Sequence, residues 1–97
     1  METQVRVYRV QEGQLERFVQ EWTEHIKPLR EGLGFHVLGA WASEEDDRFA
    51  WVLGYEGEDG FAAANDRYYN SPERAALDPD PARLLAATDH FLARPLV

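Results

Sequence analysis

The sequence predicts a single α+β domain in which a four-stranded antiparallel sheet carries two helices on one face. Three observations lead to this fold class. An apolar stretch over residues 35–55 has two alternating arms, short alternating segments lie near both ends of the chain, and two helix-spaced segments lie between them. The 97 residues, 44% of them apolar, fit one domain over 1–97. Such a chain buries roughly two-thirds of its unfolded surface, enough for one core.

Composition excludes several functional classes. The chain has 10 Lys plus Arg against 18 Asp plus Glu, a formal net charge of −8, and no cysteine. This balance opposes binding to nucleic acid or anionic membranes, whose affinity depends on clustered basic residues. Without cysteine there is no disulfide, thiolate nucleophile or iron–sulfur cluster. No segment approaches the roughly 20 apolar residues of a membrane span, and no apolar signal core opens the chain, so we expect a cytoplasmic protein.

The first predicted elements are a strand and a helix. The strand covers about Gln4–Val10, where Val and Tyr favour extended backbone and successive side chains alternate between faces. The helix covers about Gln14–Arg30, and its predicted buried stripe is Leu15, Phe18, Val19, Trp22, Ile26 and Leu29. Pro28 lacks a backbone donor, so we expect a kink or a loosened last turn there.

The hairpin Phe35–Tyr55 is the most apolar part of the sheet. Its acidic turn is Ser43–Asp47, and Val37, Gly39 and Trp41 are expected on one face of its first arm. Neither face of either arm is polar, so both faces of the sheet need cover. The turn lacks the glycine hinge and alternating ligands of a calcium loop, and we interpret it as a solvated connection.

The second half of the chain repeats the helix-then-strand order. A helix is expected over about Glu58–Asn70, and Ser71 and Asp80 are candidate N-caps of short turns that follow. The last strand is expected over about Thr88–Arg94, where Pro95 ends it. The order βαββαβ is that of a ferredoxin-like fold with both helices on one sheet face. A large apolar face left open marks an interface, so we expect a homodimer through the sheet face.

Short motifs over nearly the whole chain carry a family resemblance. They are Arg6-x-Tyr8, Gly13-x-Leu15, Phe18, Trp22, His25, Pro28-Leu29, Gly34-Phe35, Gly39-Ala40-Trp41, Tyr69-x-Ser71-Pro72-Glu73 and Leu92-x-Arg94-Pro95-Leu96. In this order and spacing they resemble the NIPSNAP family.

The resemblance implies the dimeric α/β-barrel superfamily, in which two ferredoxin-like subunits pack sheet against sheet. That superfamily includes cofactor-independent monooxygenases, haem-degrading enzymes, dehydratases, isomerases and proteins without an established activity. The resemblance therefore implies the fold far better than the chemistry.

His25 is the candidate catalytic residue. Helical spacing places it at the border of the buried stripe, where burial tunes an imidazole towards general-base work. The alternative is a partly buried structural histidine bonded to a backbone carbonyl or to Arg6. His36 and His90 are too scattered to form a metal site with it.

Five residues are candidates for lining a ligand pocket. They are Arg6, Tyr8, Trp41, Asn65 and Tyr68. Arg6 shares a face of the first strand with Tyr8, and an arginine on a central strand needs a carboxylate partner, a ligand or a dimer contact. Asn65 and Tyr68 are polar groups on an apolar helix face, suited either to orienting a substrate carbonyl or phenol or to bonding within the core. A tryptophan such as Trp41 is more often a core or interface residue than a ligand contact.

Three functions remain open from the sequence. The first is a small-molecule enzyme of the cofactor-free monooxygenase or isomerase type, with a pocket between helices and sheet for an apolar or aromatic substrate. The second is a ligand-binding module without catalysis, and the third is a structural or interaction protein with a filled core. No His pair at ligand spacing and no phosphate-binding loop is present, so we expect neither a metal nor a cofactor.

Overall fold

A computed structural model describes residues 1–97, and its central element is one antiparallel sheet. The strands are β1 Glu2–Val10, β2 His36–Ser43, β3 Arg48–Tyr55 and β4 Leu85–Ala93. They lie in the order β2-β3-β1-β4, so β1 is central and pairs with β3 and β4. The predicted ferredoxin-like α+β fold is confirmed.

The helical elements pack against the sheet and enclose the core with it. They are α1 Leu15–Glu21, a π-helical segment Trp22–Ile26, α2 Lys27–Gly32, α3 Phe61–Tyr69, α4 Pro72–Ala75 and a 3-10 helix Pro81–Leu84. The core contains 14 buried apolar residues, among them an aromatic cluster in which Trp22 of the π-helical segment meets Phe49 and Trp51 of β3. Aromatic side chains of this size dominate the burial energy of a small domain.

On strand β1, the side chains that face the helices include polar groups buried in the protein interior. Its helix-facing side chains include Arg6, Tyr8 and Val10, which are all buried, whereas Val5 and Val7 point to the opposite face and are half-buried. The prediction that Arg6 and Tyr8 share a face is confirmed. The fold thus holds a cationic side chain under the helices.

The first helical region contains an irregularity near Pro28, as expected, but it takes the form of a π-helical segment before the proline. The π-helical segment Trp22–Ile26 lies just before Pro28, whose missing N–H and bulky ring disfavour a regular turn. The wider turn changes which later residues face the core. Arg30 is 1% exposed, while Leu29, predicted in the buried stripe, is only half-buried.

The hairpin contains an irregularity that the alternation pattern did not reveal. The pairing of β2 with β3 shifts between Val37 and Gly39, so Val37 lies opposite the buried Leu53, whereas Trp41 lies opposite Ala50. Opposed residues of an antiparallel pair share a face, so Val37 is on the helix side and Trp41 on the other. The prediction that these two residues share a face is wrong because of this bulge.

The remaining boundaries follow local backbone chemistry. Helix α3 begins only after Gly60, whose φ of 88° is a left-handed conformation that favours glycine. The Ser71 hydroxyl accepts a hydrogen bond from the Arg74 amide, and Asp80 accepts one from the Ala82 amide, which confirms both predicted N-caps. Strand β4 begins at Leu85, directly after the 3-10 helix, and is therefore longer at its start than predicted.

The sheet surface away from the helices has no covering element. We call it the outer face, and it comprises Val5, Val7, Leu38, Gly39, Trp41, Ala50, Val52 and Phe91. Trp41 is 62% exposed, and Leu38 and Phe91 are each 51% exposed. A patch of this kind is unusual on a monomer. None of the helices has the length and apolar character needed to cross a membrane.

Candidate functional site

A cavity of about 250 Å³ lies between the sheet and the helices. Its apolar wall is formed by Phe18 of α1, Ile26 of the π-helical segment, Trp51 of β3 and Leu85 of β4. Its other lining residues are Arg6, Tyr8, Arg30, Asn65, Tyr68, Tyr69, Arg74, Ala82, Thr88 and His90. Tyr69, Ala82, Thr88 and His90 are exposed, so they mark its solvent side. The mixture of an apolar wall with convergent polar groups is typical of small-molecule sites.

Arg6 reaches into this cavity from the central strand and is held by neutral partners. Its Nε donates to Oε1 of Gln4 at 2.7 Å, and its Nη1 donates to the Tyr69 hydroxyl at 2.9 Å and to the Tyr8 hydroxyl at 3.3 Å. Its Nη2 donates to Oδ1 of Asn65 at 3.1 Å. The side chain is therefore fixed in one orientation although no acid neutralises it.

Arg30 enters from α2 and is stacked between aromatic rings. Its guanidinium carbon lies 3.6 Å from the ring centroid of Tyr68 and 4.7 Å from that of Phe35, contacts in which the ring faces attract the cation. Its Nη1 donates to Oδ1 of Asn65 at 2.9 Å, and its Nε has no acceptor. This cation is thus held mainly by aromatic faces and by one amide oxygen.

Asn65 joins the two arginines, because its Oδ1 accepts a hydrogen bond from each. No carboxylate lies within ion-pair distance of either guanidinium. The third arginine of the lining differs, since Arg74 pairs with Asp80 at 2.9 Å. Two uncompensated positive charges consequently lie side by side in the interior of a chain whose net charge is −8.

The electrostatics of the cavity follow from these contacts. Burial, and then the nearby charge of Arg6, lower the pKa of Arg30 from its ordinary value to about 10, so it remains protonated at neutral pH. Partial burial raises the pKa of the Tyr69 hydroxyl, but the charges of Arg6 and Arg30 and the Arg6 hydrogen bond outweigh this effect, so that pKa is lower than usual. Burial raises the pKa of Tyr68. Of the two adjacent tyrosines, Tyr69 therefore loses its hydroxyl proton more readily.

This arrangement favours a negatively charged oxygen. A guanidinium in a low-dielectric cavity stabilises an oxyanion far more strongly than it does in water. The Tyr69 hydroxyl is a proton donor or acceptor on the same cluster, and the apolar wall excludes water from the opposite side. The cavity is therefore suited to binding an anion or to stabilising one formed during proton transfer.

Four of the predicted site residues meet in this cavity. Arg6, Tyr8, Asn65 and Tyr68 all line it. His25 is exposed on the π-helical segment and is not part of the lining, which differs from its predicted place at the border of the buried stripe. A π-turn contains more residues than an α-turn, so the angular position expected for His25 from regular helical spacing does not apply.

Trp41 also differs from its predicted place in a ligand pocket. It lies on the outer face, separated from the cavity by the sheet, because the bulge in β2 turns it away from the helices. Its indole ring instead covers the backbone of Gly39, where a side chain would collide with it.

Among the lining residues that sequence reasoning missed are three polar ones close to Arg6 and Tyr68, namely Arg30, Tyr69 and Arg74. Tyr69 follows Asn65 by four residues, so helical spacing from a residue already singled out would have found it. A charged residue at the end of an apolar stripe is usually assigned to solvent, and for this reason Arg30 was not recognised. No comparable signal marks Arg74, which lies in a short turn.

The fold and the cavity define a protein of the ferredoxin-like α+β class with a small internal, arginine-containing site. The family model for NIPSNAP matches residues 2–97. The chain therefore belongs to the NIPSNAP family, as the motifs of the sequence indicated. Comparison with curated proteins gave no significant match.

Solved structures show the same fold at low sequence identity. An uncharacterised NIPSNAP domain protein from Burkholderia xenovorans is 18% identical, with a TM-score of 0.84 over 98% of this chain and 94% of that one. A NIPSNAP family protein of unknown function from Agrobacterium tumefaciens is 15% identical, with a TM-score of 0.85 over 98% and 87%. A structure described as an antibiotic biosynthesis monooxygenase is 11% identical, with a TM-score of 0.72 and 100% of both chains covered.

Proposed function

We propose that this NIPSNAP protein is a small-molecule enzyme of the cofactor-independent monooxygenase or isomerase type, with the internal cavity as its substrate site. The observation that carries the proposal is the convergence of Arg6, Arg30, Asn65 and Tyr69 on one side of a cavity whose other side is apolar. The shared fold with an antibiotic biosynthesis monooxygenase agrees with this class of reaction without determining it.

The chemistry proposed for the cavity begins with loss of a proton next to a carbonyl group or from a phenol. The resulting enolate or phenolate carries its charge on oxygen, and Arg6 and Arg30 stabilise that charge. Tyr69 exchanges the proton, because its pKa is lowered while its hydroxyl is fixed by the 2.9 Å hydrogen bond from Arg6. Phe18 and Trp51 contact the apolar body of the substrate.

This assignment replaces the catalytic role expected for His25. The imidazole is exposed and lies outside the lining residues, so it is too far from a bound substrate to serve as its base within one subunit. The general acid or base of the proposed reaction is Tyr69.

The proposal is tested by a metabolite screen with two readouts. Fractions of a cell extract are scored for thermal stabilisation of the protein, and stabilising fractions are then incubated with it and analysed by mass spectrometry for a changed mass or an isomeric product. We expect Tyr69→Phe to keep stabilisation and to lose turnover. Tyr55→Phe is the matched control, since its hydroxyl bonds Asp59 outside the cavity. Turnover that survives in Tyr69→Phe contradicts the assigned role.

A second candidate function is ligand binding without catalysis. It is favoured by the absence of any carboxylate among the lining residues, since a carboxylate would be an ordinary general base at neutral pH. The same experiment separates the two functions. A ligand that stabilises the protein and is recovered unchanged, from wild type and Tyr69→Phe alike, indicates a binding protein.

We further propose that the protein is a homodimer formed through the outer face. The support is the exposed apolar surface centred on Trp41, Leu38 and Phe91, for which the chain itself provides no cover. Pairing of two such faces would bury them without altering the cavities, which lie on the other side of each sheet.

A further inference from the structure

We infer that the ligand of the cavity is a compact carboxylic acid, bound as its anion by Arg30 with Arg6 as a second positive charge. The inference rests on the proposed function in one respect, namely that the cavity is a small-molecule site. It adds the chemical class of the molecule and the residue that recognises it.

The first argument is the unfinished hydrogen bonding of Arg30. A guanidinium has five N–H donors, yet the Arg30 group donates one side-chain hydrogen bond, from Nη1 to Asn65. Its buried Nε–H has no acceptor, although the residue is only 1% exposed. Buried donors are nearly always paired, yet Nε of Arg74 and Nε1 of Trp51, which also line the cavity, have no acceptor either. Together with Nε of Arg30 they indicate that the cavity lacks an acceptor.

The second argument is geometric. The donor that is already used, Nη1, leaves the edge formed by Nε and Nη2, and these two N–H groups point in parallel. A carboxylate matches such an edge with its two oxygens, which neither a neutral carbonyl nor a hydroxyl does. Arg6 differs, because its Nε and both of its Nη atoms already donate to protein groups. Arg30 is therefore the binding residue, and Arg6 contributes charge.

The third argument is charge. Arg6 and Arg30 share the oxygen of Asn65, and neither has an ion pair. Two guanidinium groups held together this closely repel each other, and the repulsion contributes to the lowered pKa of Arg30. An anion bound between them offsets the repulsion and supplies the negative charge that no carboxylate of the chain provides.

The size and walls of the cavity favour a compact acid with an apolar body. Its volume of about 250 Å³ lies below the roughly 300–1,000 Å³ of typical ligand pockets, so the molecule is small. Phe18, Ile26, Trp51 and Leu85 give it an apolar wall that suits a ring or a short alkyl chain. A guanidinium edge also fits two oxygens of a phosphate, so benzylphosphonate is the probe that separates the two anions.

The test compares isosteric probes on the intact protein. Phenylacetate, phenylacetamide and benzylphosphonate share one apolar body and differ in the group presented to Arg30. Dissociation constants are measured by isothermal titration calorimetry at neutral pH for wild type, Arg30→Met and Arg17→Gln. Arg17 is an exposed arginine of α1 and serves as the matched control for loss of one positive charge.

We expect phenylacetate to bind wild type at least about tenfold more tightly than phenylacetamide, since a paired charge-assisted hydrogen bond is worth at least that ratio. Arg30→Met should abolish the preference, and Arg17→Gln should keep it. The comparison of acid with amide in wild type needs no variant, so it still tests the preference for a carboxylate if Arg30→Met fails to fold.

Three patterns of probe binding overturn the inference. They are equal binding of acid and amide, tighter binding of benzylphosphonate than of phenylacetate, and an acid preference that persists in folded Arg30→Met. Each of them leaves the proposed function standing, because a neutral or phosphorylated ligand still occupies the cavity. If no probe binds, the carboxylate class is wrong for this cavity, and the metabolite screen separately decides whether the cavity is a small-molecule site.

Discussion

The guanidinium carbon of Arg30 lies 3.6 Å from the ring centroid of Tyr68, so an aromatic face, and no carboxylate, lies against this fully buried cation. A ring face offers a desolvated cation roughly 2 kcal/mol. Removing an ion from water costs several kcal/mol even after the protein relaxes. The stack therefore reduces the cost of burying Arg30 without cancelling it, and this imbalance governs the first prediction.

Replacing Arg30 with Met should stabilise the folded protein. Methionine preserves the packing of the arginine stem and removes the uncompensated charge, and Asn65 keeps its hydrogen bond from Arg6. We expect the free energy of unfolding, measured by urea denaturation at neutral pH, to rise by about 1 kcal/mol. The lowered pKa of Arg30 agrees with this prediction, because it shows that folding disfavours the charged form of the side chain. Because the unfolded chain binds this proton more tightly, the stability contributed by this group rises only as the pH passes above about 10.

Arg74→Met is the matched control for that experiment. Its side chain is also largely buried, but it pairs with Asp80 at 2.9 Å. Removing it breaks a satisfied contact with a half-exposed acid and should destabilise by about 0.5 kcal/mol or somewhat more. If Arg30→Met destabilises as Arg74→Met does, Arg30 is a structural residue that is adequately compensated within the chain.

Tyr69 should titrate at a lower pH than an ordinary tyrosine. Partial burial opposes ionisation, but the charges of Arg6 and Arg30 outweigh it and lower the pKa. A phenolate absorbance titration of the wild type should contain a phase below the usual tyrosine range. That phase should disappear in Tyr69→Phe and remain in Tyr68→Phe, because burial raises the pKa of Tyr68.

The same shift predicts a pH dependence of stability with a definite sign. The pKa of Tyr69 is lower in the folded protein than in the unfolded chain, so the folded state releases this proton first. Its stabilising contribution is full above the unfolded pKa of about 10 and is lost as the pH falls through the folded value. Relative to Tyr69→Phe, the wild type should gain stability as the pH approaches 10 from below. A constant difference between the two proteins contradicts the shift.

The fold was predictable because it depends on patterns that the chain shows directly. Alternation in β1 and in the hairpin, together with the stripe from Leu15 to Ile26, determines which faces must be buried. The site was only partly predictable. Arg6 and Asn65 stood out as polar residues on apolar faces, whereas the burial of Arg30 follows the π-turn that Pro28 accompanies, and Trp41 was misplaced by one bulge residue. Periodicity does not reveal such single-residue irregularities, and each moves a side chain to another face.

His25→Ala should be nearly neutral. The imidazole is exposed, makes no side-chain hydrogen bond in the folded chain and lies outside the cavity lining. We expect the free energy of unfolding to change by less than about 0.5 kcal/mol and ligand-induced stabilisation to remain unchanged. A loss of turnover in folded His25→Ala would instead restore the role that the sequence suggested for this histidine.

The outer face should mediate a homodimer that a single charge disrupts. Four strands of about eight residues, spaced about 4.8 Å apart, cover roughly 500 Å² of sheet, and two such faces together reach the order of 1,000 Å² that a specific interface needs. Trp41 is the expected anchor, since it is 62% exposed and large aromatic residues dominate interface energies. Sedimentation velocity at micromolar concentration should give about twice the 11.2 kDa chain mass for the wild type and a monomer for Trp41→Glu. Ala63→Glu, which places the same charge on the exposed side of α3, should remain dimeric. A wild-type monomer, or a dimer that Ala63→Glu disrupts and Trp41→Glu does not, assigns the interface to another surface.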